Sequence, residues 1–324
     1  MPAERYYALI LMDGDRLGSW LSGENALGFG DAFHTKVRAG LARYRDERLA
    51  KYLGCKRPTS PARHMAISSA LNGFALDLVR HVVEDLCLGK LLYAGGDDVM
   101  AMVCVRDLLK MLWLLREVYS GGTTGGYAAN LFEHDFDLRR GFVQWRNRLY
   151  QVMGQRATAS AGAVIAHHQA PLGAVLRELR AAESRAKTEG GRDAFSLTVV
   201  KRSGGALTLT DKWGEPVALL ADLRAFLAER GVSRRAVYHT LEWLNEKDLP
   251  EPEGDGDMLQ SLLAYQFDRQ TDKTAKEAKA MVPSLAERLT AQALAKPRER
   301  VRWLRNVLSV AEFLARETRT GESA

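Results

Sequence analysis

The 324-residue sequence contains little cysteine and no long apolar run. Its three cysteines, Cys55, Cys87 and Cys104, form no C-x-x-C pair, so neither a disulfide framework nor a structural zinc site is indicated. No apolar stretch reaches the roughly 18 residues that a membrane-spanning helix needs. Residues 1–15 lack a signal-peptide layout, because their apolar run is short and ends in acids. We therefore expect a cytoplasmic protein with no membrane partner.

The composition is that of an ordinary globular protein, with 46% hydrophobic and 27% charged residues. The formal net charge of +6 is compatible with a nucleotide or RNA partner but does not identify one. The length is sufficient for two domains. We expect an α+β domain over residues 1–205, with an insertion at about 121–156, and an all-helical domain over residues 206–324. The glycine-rich stretch 121–126 lacks the G-K-[ST] ending of a P-loop and is predicted to be a flexible linker.

Apolar runs and helical periodicity predict the order of elements in the first domain. A strand at 6–12 is followed by a long helix at 62–86, a hairpin around 90–104, a helix at 106–120, a strand at 157–168, a helix at 171–190 and a strand at 194–204. The first six elements match the ferredoxin-like split βαβ layout, an antiparallel sheet with helices. In this layout the third strand lies between the first two, which places the hairpin tip beside the end of the first strand.

Two acidic motifs occupy these two positions. Asp13 and Asp15 end the first strand in "DGD", and Asp97 and Asp98 form the hairpin tip in "AGGDD". Adjacent carboxylates repel each other unless a positive charge lies near them. The simplest interpretation is a solvated hairpin tip, where aspartate is common. The alternative is a metal site at which the two motifs meet.

The metal interpretation assigns a role to four residues. Mg²⁺ or Mn²⁺ takes oxygen ligands, usually one or two carboxylates together with substrate phosphates. Asp13 and Asp97 would supply a clamp from two neighbouring strands, with Asp98 as a third candidate ligand and the Gly14 carbonyl as a further oxygen. Two such ions can activate an attacking ribose hydroxyl and stabilise a leaving pyrophosphate.

Five further positions are assigned to a nucleotide. Gly95 and Gly96 have no Cβ, so the backbone can approach phosphates there. Asp15 lies at the end of the first strand, beside the predicted metal site. His64 and Ser68 lie one helical turn apart and either face the nucleotide base or serve as a helix-start residue and a polar contact.

With these residues in place, the sequence resembles the nucleotide-cyclase and diguanylate-cyclase palm. Within that group it is most similar to the large, GGDD-bearing subunit of type III CRISPR RNA-guided effector complexes, Cmr branch. The stretches that carry the resemblance are "YYALILMDGDRLGSWLSG", "HMAISSALNGFA", "GKLLYAGGDDVMAMV", "MGQRATASAGAVIAHHQAPL" and "AESRAKTEGGRDAFSLTVVKRSG", which together cover most of residues 5–205.

The resemblance implies an enzyme that polymerises ATP into cyclic oligoadenylate when the complex pairs its guide RNA with a target RNA. It implies that carboxylates at Asp13, Asp97 and Asp98 hold the divalent metals. Diguanylate cyclases also place a lysine and an arginine of an "AK…GR" stretch on the triphosphate, and Lys187 and Arg192 match these positions. This chain has one more residue between the two than the usual spacing.

The sequence also departs from the family pattern. The family's first palm, its histidine–aspartate nuclease domain and its zinc-binding cysteines are not found. We therefore expect a second palm, supplied by a missing domain or a homodimer, together with other subunits of the complex. Two alternatives remain open: a cyclic dinucleotide synthase that acts as a homodimer, and a catalytically silent ATP-binding assembly subunit.

Overall fold

The computed structural model describes residues 5–44, 46–122, 131–202, 204–244 and 256–322. Its strands are β1 (Tyr6–Gly14), β2 (Gly89–Gly95), β3 (Asp98–Cys104), β4 (Asp137–Arg139), β5 (Phe142–Trp145), β6 (Arg148–Gln151), β7 (Ala159–His167), β8 (Ala194–Val200) and β9 (Ala206–Lys212). Six of them form one sheet in the order β2-β3-β1-β7-β8-β9. The part β2-β3-β1-β7 has the predicted ferredoxin-like order, and the α+β fold class is confirmed.

The sheet is mixed, whereas the sequence predicts an antiparallel one. Strands β7 and β8 pair in parallel, and the other neighbours pair antiparallel. The parallel pair arises because a 17-residue helix, Leu172–Thr188, crosses between these strands and lies against them. The residues of β1 alternate between two cores: Ala8, Ile10 and Met12 join the large one, and Leu9 joins a smaller one that this helix covers. Burial on both faces explains the continuous apolar run of β1.

The helices of the first domain are α1 (Leu17–Leu21), α2 (Phe29–Ala32), α3 (Thr35–Leu41), α4 (Glu47–Gly54), α5 (Pro61–Asn72), α6 (Leu108–Ser120) and α7 (Leu172–Thr188). Helix α5 begins at the cap Ser60, whose hydroxyl accepts from the Arg63 amide, and it has proline in its first turn. It continues into two π-helical segments, Gly73–Leu78 and His81–Asp85. The predicted helix at 62–86 is therefore present, but its second half is wound more widely than an α-helix.

The insertion contains a small sheet in the order β4-β5-β6. His81 joins the insertion to the rest of the domain. This residue lies in the second π-helical segment and is buried. The two ring nitrogens of His81 lie 2.7 Å from Asp85 Oδ2 and 2.8 Å from Asp135 Oδ1. Trp145 of β5 donates to the other oxygen of Asp135 at 3.0 Å. Most of the predicted linker 121–126 lies outside the described residues.

The C-terminal part is helical, with α8 (Glu215–Ala228), α9 (Arg235–Trp243), α10 (Gly256–Arg269), α11 (Lys276–Leu294) and α12 (Arg300–Glu322). The predicted boundary at residue 205 falls just before β9, which pairs with β8 along its whole length and belongs to the sheet. Asp211 of β9 accepts from the Trp303 indole at 2.7 Å and so joins the sheet to α12. Among the described residues, the helices are all too short or too polar to cross a membrane.

Candidate metal and nucleotide site

The two acidic motifs meet at one end of the sheet. The antiparallel register of β1 and β3 pairs Met12 with Val99, so Asp13 follows on β1 where Asp98 begins β3. Asp13, Asp97 and Asp98 each offer a carboxylate oxygen, and these atoms all lie within 4.8 Å of one another. The structure therefore brings together the three residues that the topology predicts, in an arrangement that fits one divalent cation.

The hairpin tip leaves room above the backbone. Gly95 pairs with Asp98, and Gly96 is the first central residue of the two-residue turn, with φ of 64°. Glycine is favoured there because the left-handed region is strained for residues with a Cβ. A Cβ built on Gly96 would meet no atom within 4 Å, so the tip is open to a ligand on that side.

Gly14 permits a close approach that no other residue would allow. A Cβ at Gly14 would lie 2.7 Å from Asp97 Oδ2 and would overlap the Tyr119 hydroxyl. Tyr119 is buried near the end of α6, and burial together with the charge of Asp97 raises the pKa of its phenol well above its usual range. The neutral hydroxyl therefore lies against the acidic cluster. Tyr119 was not predicted from the sequence. A tyrosine near the end of so apolar a helix could have indicated a buried hydroxyl with a polar neighbour.

The carboxylates of the cluster hold their protons more tightly than isolated ones. Burial, a hydrogen bond with Asp13 and the charges of Asp13 and Asp97 raise the pKa of Asp98 to about 7. Burial and the charge of Asp13 also raise the pKa of Asp97, against backbone hydrogen bonds and Lys187, which lower it. Near neutral pH, without a cation, the cluster therefore retains a proton on Asp98 for much of the time. Cation binding would release that proton.

Lys187 lies in the last turn of α7 and forms ion pairs with Asp13 and Glu183. Burial lowers the pKa of Lys187, but the bonds to these two carboxylates outweigh it, so its pKa is raised and the ammonium is charged. Lys187 thus lies beside the cluster, and its contact with a triphosphate stays a prediction. Glu183 was not predicted; its signal is the i,i+4 spacing from Lys187 on the same helix face.

Asp15 has an environment that does not fit the expected contact with a nucleotide. It is only 4% exposed, and its carboxylate accepts from the Thr158 hydroxyl, the Ser160 hydroxyl and the Asp193 amide, each at 2.8 Å. Its oxygens are already occupied by donors of this chain. Asp15 therefore positions the turn after α7 against β7.

Arg192 lies in that turn with φ of 63°, and its guanidinium is 3.5 Å from Asp15. The next residue, Asp193, accepts two bonds from buried Arg116 of α6, at 3.0 and 2.7 Å. Arg192 is thus held near the acidic cluster, with part of its side chain exposed. Arg116 was not predicted; a buried arginine in an apolar helix needs a carboxylate partner.

His64 and Ser68 lie exposed on α5. The His64 Nε2 is 2.9 Å from the Leu21 carbonyl oxygen and links α5 to α1. Within the described ranges, no hydrogen bond or ion pair joins either residue to the acidic cluster. Their contact with a nucleotide base stays a prediction.

Comparison with known proteins identifies the family. The family model of the second palm domain of Cas10/Cmr2 matches residues 6–196, a range that contains the whole acidic cluster, Lys187 and Arg192. The chain belongs to this family. The resemblance carried by the five stretches within residues 5–205 is therefore confirmed.

A sequence relative and two solved structures support the same family assignment for this Cas10/Cmr2 palm. The CRISPR system Cmr subunit Cmr2 of Pyrococcus furiosus is 32% identical over 242 residues, which are 73% of this chain and 24% of that protein. Cryo-EM structures of type III-B Cmr-beta, in the apo state and bound to cognate target RNA, share the fold with TM-scores of 0.58 and 0.59 at 18% identity. The aligned residues make up 83% and 84% of this chain, and 34% and 35% of the matched chains. The chain thus spans about a quarter of the curated relative.

Proposed function

We propose that this Cas10/Cmr2 palm is a metal-dependent nucleotidyltransferase that converts ATP into cyclic oligoadenylate within a type III CRISPR effector complex. The observation that carries the proposal is the convergence of Asp13, Asp97 and Asp98, with Lys187 beside them. A merely structural cluster would be neutralised by the chain's own cations. Here the one ammonium of Lys187 is shared between Asp13 and Glu183, and a proton rather than a cation of the chain reduces the charge of Asp98.

The three aspartates would hold Mg²⁺ or Mn²⁺ through their carboxylates. When bound, the cation supplies Lewis-acid activation of a ribose 3′-hydroxyl and neutralises charge on the phosphates. Asp13 would hold the cation in place of its ion pair with Lys187, and the Lys187 ammonium would then be available to a phosphate oxygen. Arg192 is the second candidate for the triphosphate, and the open side of Gly96 admits the phosphates to the backbone.

The site offers one set of carboxylates, whereas joining two ATP molecules requires a second nucleotide position. We propose that a second palm supplies it, either from the rest of the subunit or from another copy of this chain. The other proposed partners are neighbouring subunits, a guide RNA and a target RNA. This part of the proposal is supported by the relatives, one of which is a Cmr subunit and one of which is bound to cognate target RNA.

The test is product formation. The chain is incubated with ATP or GTP and Mg²⁺ or Mn²⁺, alone and in its reconstituted complex with target RNA, and products are identified by mass. We expect cyclic adenylates that disappear in Asp97→Asn/Asp98→Asn. The control Asp257→Asn/Asp268→Asn removes the same charge from α10 and should retain activity. A guanylate product from the chain alone, or bound ATP without turnover in every setting, would refute the proposal.

A further inference from the structure

The positive charge of the chain is concentrated in one short segment. Residues 35–57, here called the basic segment, contain eight lysines and arginines but only two acids. This excess of six equals the formal net charge of the entire chain, so the remaining residues are balanced overall. The segment comprises α3, α4 and their flanks, and it lies between α1, which follows the "DGD" motif, and α5.

The basic segment has no core of its own. Between Leu27 and Ser69 no described residue is buried. Helix α4 contacts α2, where Tyr52 stacks on Phe29 with ring centroids 4.6 Å apart. Ordering a segment costs conformational entropy that burial normally offsets. A segment that buries so little surface against its own chain leaves most of that surface available to a partner.

The cations of this segment have few partners. Arg38 pairs with Asp31 at 3.0 Å, and the Lys56 ammonium donates to the Glu24 carbonyl. Within the part of the chain that the structure describes, the other cations form no ion pair; these are Lys36, Arg43, Arg48, Lys51 and Arg57. Of the two acids, Asp46 is occupied as the N-cap of α4, where it accepts from the Arg48 amide at 2.8 Å. The positive potential is therefore left facing the solvent.

Aromatic rings lie among these cations. Tyr44 is 71% exposed and Tyr52 is 50% exposed. Arg48 and Tyr52 are four residues apart on α4, with Lys51 beside them, so all three share one helix face. Alternating cations and exposed aromatic rings are typical of surfaces that bind single-stranded nucleic acid, where phosphates meet the cations and bases stack on the rings.

We propose that the basic segment binds single-stranded nucleic acid, with Arg43, Arg48 and Lys51 on the phosphates and Tyr44 and Tyr52 stacked on bases. An acidic polypeptide would also satisfy the cations, but it offers no flat π-surface for the exposed tyrosines. The inference does not depend on turnover at the acidic cluster, and binding is measured without ATP.

The electrostatic part is tested by fluorescence anisotropy of the full chain with a labelled single-stranded RNA of about 16 nucleotides. Each phosphate contact contributes about 0.7 to the slope of log affinity against log salt. The variant Arg43→Ala/Arg48→Ala/Lys51→Ala should therefore lower the slope by about 2 and weaken binding at least about tenfold. The matched control Arg298→Ala/Arg302→Ala/Arg305→Ala removes three exposed arginines near the start of α12 and should change neither. Equal losses in both variants would overturn the proposal.

The stacking part is tested with Tyr44, which is the more exposed ring. Tyr44→Ala should weaken binding about fivefold or more without changing the salt slope, and Tyr44→Phe should restore it. DNA of the same sequence separates the two sources of nucleic acid, and binding of either supports the proposal. A labelled polyglutamate of equal charge should bind far more weakly. Equal binding of polyglutamate, with the same sensitivity to Arg48 and Lys51, would assign the surface to an acidic polypeptide.

Discussion

Replacing one carboxylate of the acidic cluster should stabilise the metal-free protein. The substitution is Asp98→Asn, which keeps the shape of the side chain and removes its charge. In the cluster, oxygens of Asp13, Asp97 and Asp98 lie within 4.8 Å of one another. Within the described residues the ion pair to the three aspartates comes from Lys187, so most of this repulsion is not relieved unless a proton or metal ion binds.

The magnitude follows from Coulomb's law. Two unit charges at the 4.8 Å limit repel by about 3.5 kcal/mol at an effective dielectric of about 20, and by about 0.9 kcal/mol in water. The side chains are partly exposed, and Lys187 offsets Asp13, so a value nearer the lower limit applies. We expect Asp98→Asn to gain about 1–2 kcal/mol, which raises the Tm by about 2–4 °C.

The sign of the pH dependence follows from the pKa of Asp98, which folding raises from 3.8 to about 7. The folded protein then binds more protons than the unfolded chain between these values, so wild-type stability falls as the pH rises through this window. At pH 5 the folded wild type still carries the proton, and at pH 8 it has lost it. The Tm advantage of Asp98→Asn should therefore be partial at pH 5 and complete at pH 8.

The assay is thermal unfolding at both pH values, in EDTA and in excess Mg²⁺. Mg²⁺ at about 100 times its Kd should stabilise the wild type by about 2.7 kcal/mol at pH 8 and less at pH 5, because it must displace the proton. Asp98→Asn should lose most of this gain. Asp257→Asn, an exposed acid on α10, should behave as the wild type. An equal Tm gain at both pH values, or a Tm loss in EDTA, would refute the electrostatic reasoning.

Two further predictions concern packing around the site and the insertion. Gly14→Ala should destabilise the protein by about 1–3 kcal/mol and displace Asp97, because its Cβ would overlap Tyr119. Thermal unfolding measures this loss. The control Gly18→Ala, whose Cβ meets no atom within 4 Å, should leave the stability unchanged. His81→Ala should remove the histidine partner of Asp135, cost about 2–3 kcal/mol and speed amide exchange over β4–β6. The control His239→Ala removes a half-buried histidine far from the insertion in sequence and should leave exchange there unchanged.

The acidic cluster could be predicted because it follows from strand order alone. Once β3 lies between β1 and β2, the end of β1 must adjoin the hairpin tip, so Asp13 and Asp98 meet whatever the surrounding side chains are. The environment of Asp15 could not be predicted in this way. Its donors come from Thr158, Ser160 and Asp193, more than a hundred residues later, and no local pattern indicates such contacts.

The winding of the segment after α5 and the small sheet of the insertion were also beyond the sequence pattern. The π-helical segments are 6 and 5 residues long, too short to change the apolar pattern, so periodicity over residues 62–86 predicts only a helix. Strands β4–β6 have three or four residues each, too few for alternation to stand out. Their register depends instead on the turn at Arg146 and Asn147, which both adopt positive φ.

The charge of the site bears on how many metal ions this chain can hold by itself. Asp13, Asp97, Asp98 and Glu183 carry four negative charges when ionised, and Lys187 offsets one of them. Cation binding releases the proton that the raised pKa of Asp98 favours, so three net negative charges face the first divalent cation, which leaves one. A second cation would then meet a site with little remaining attraction unless it brought anions with it. The second ion of a two-metal mechanism is therefore expected to arrive with the triphosphate, whose oxygens complete its coordination.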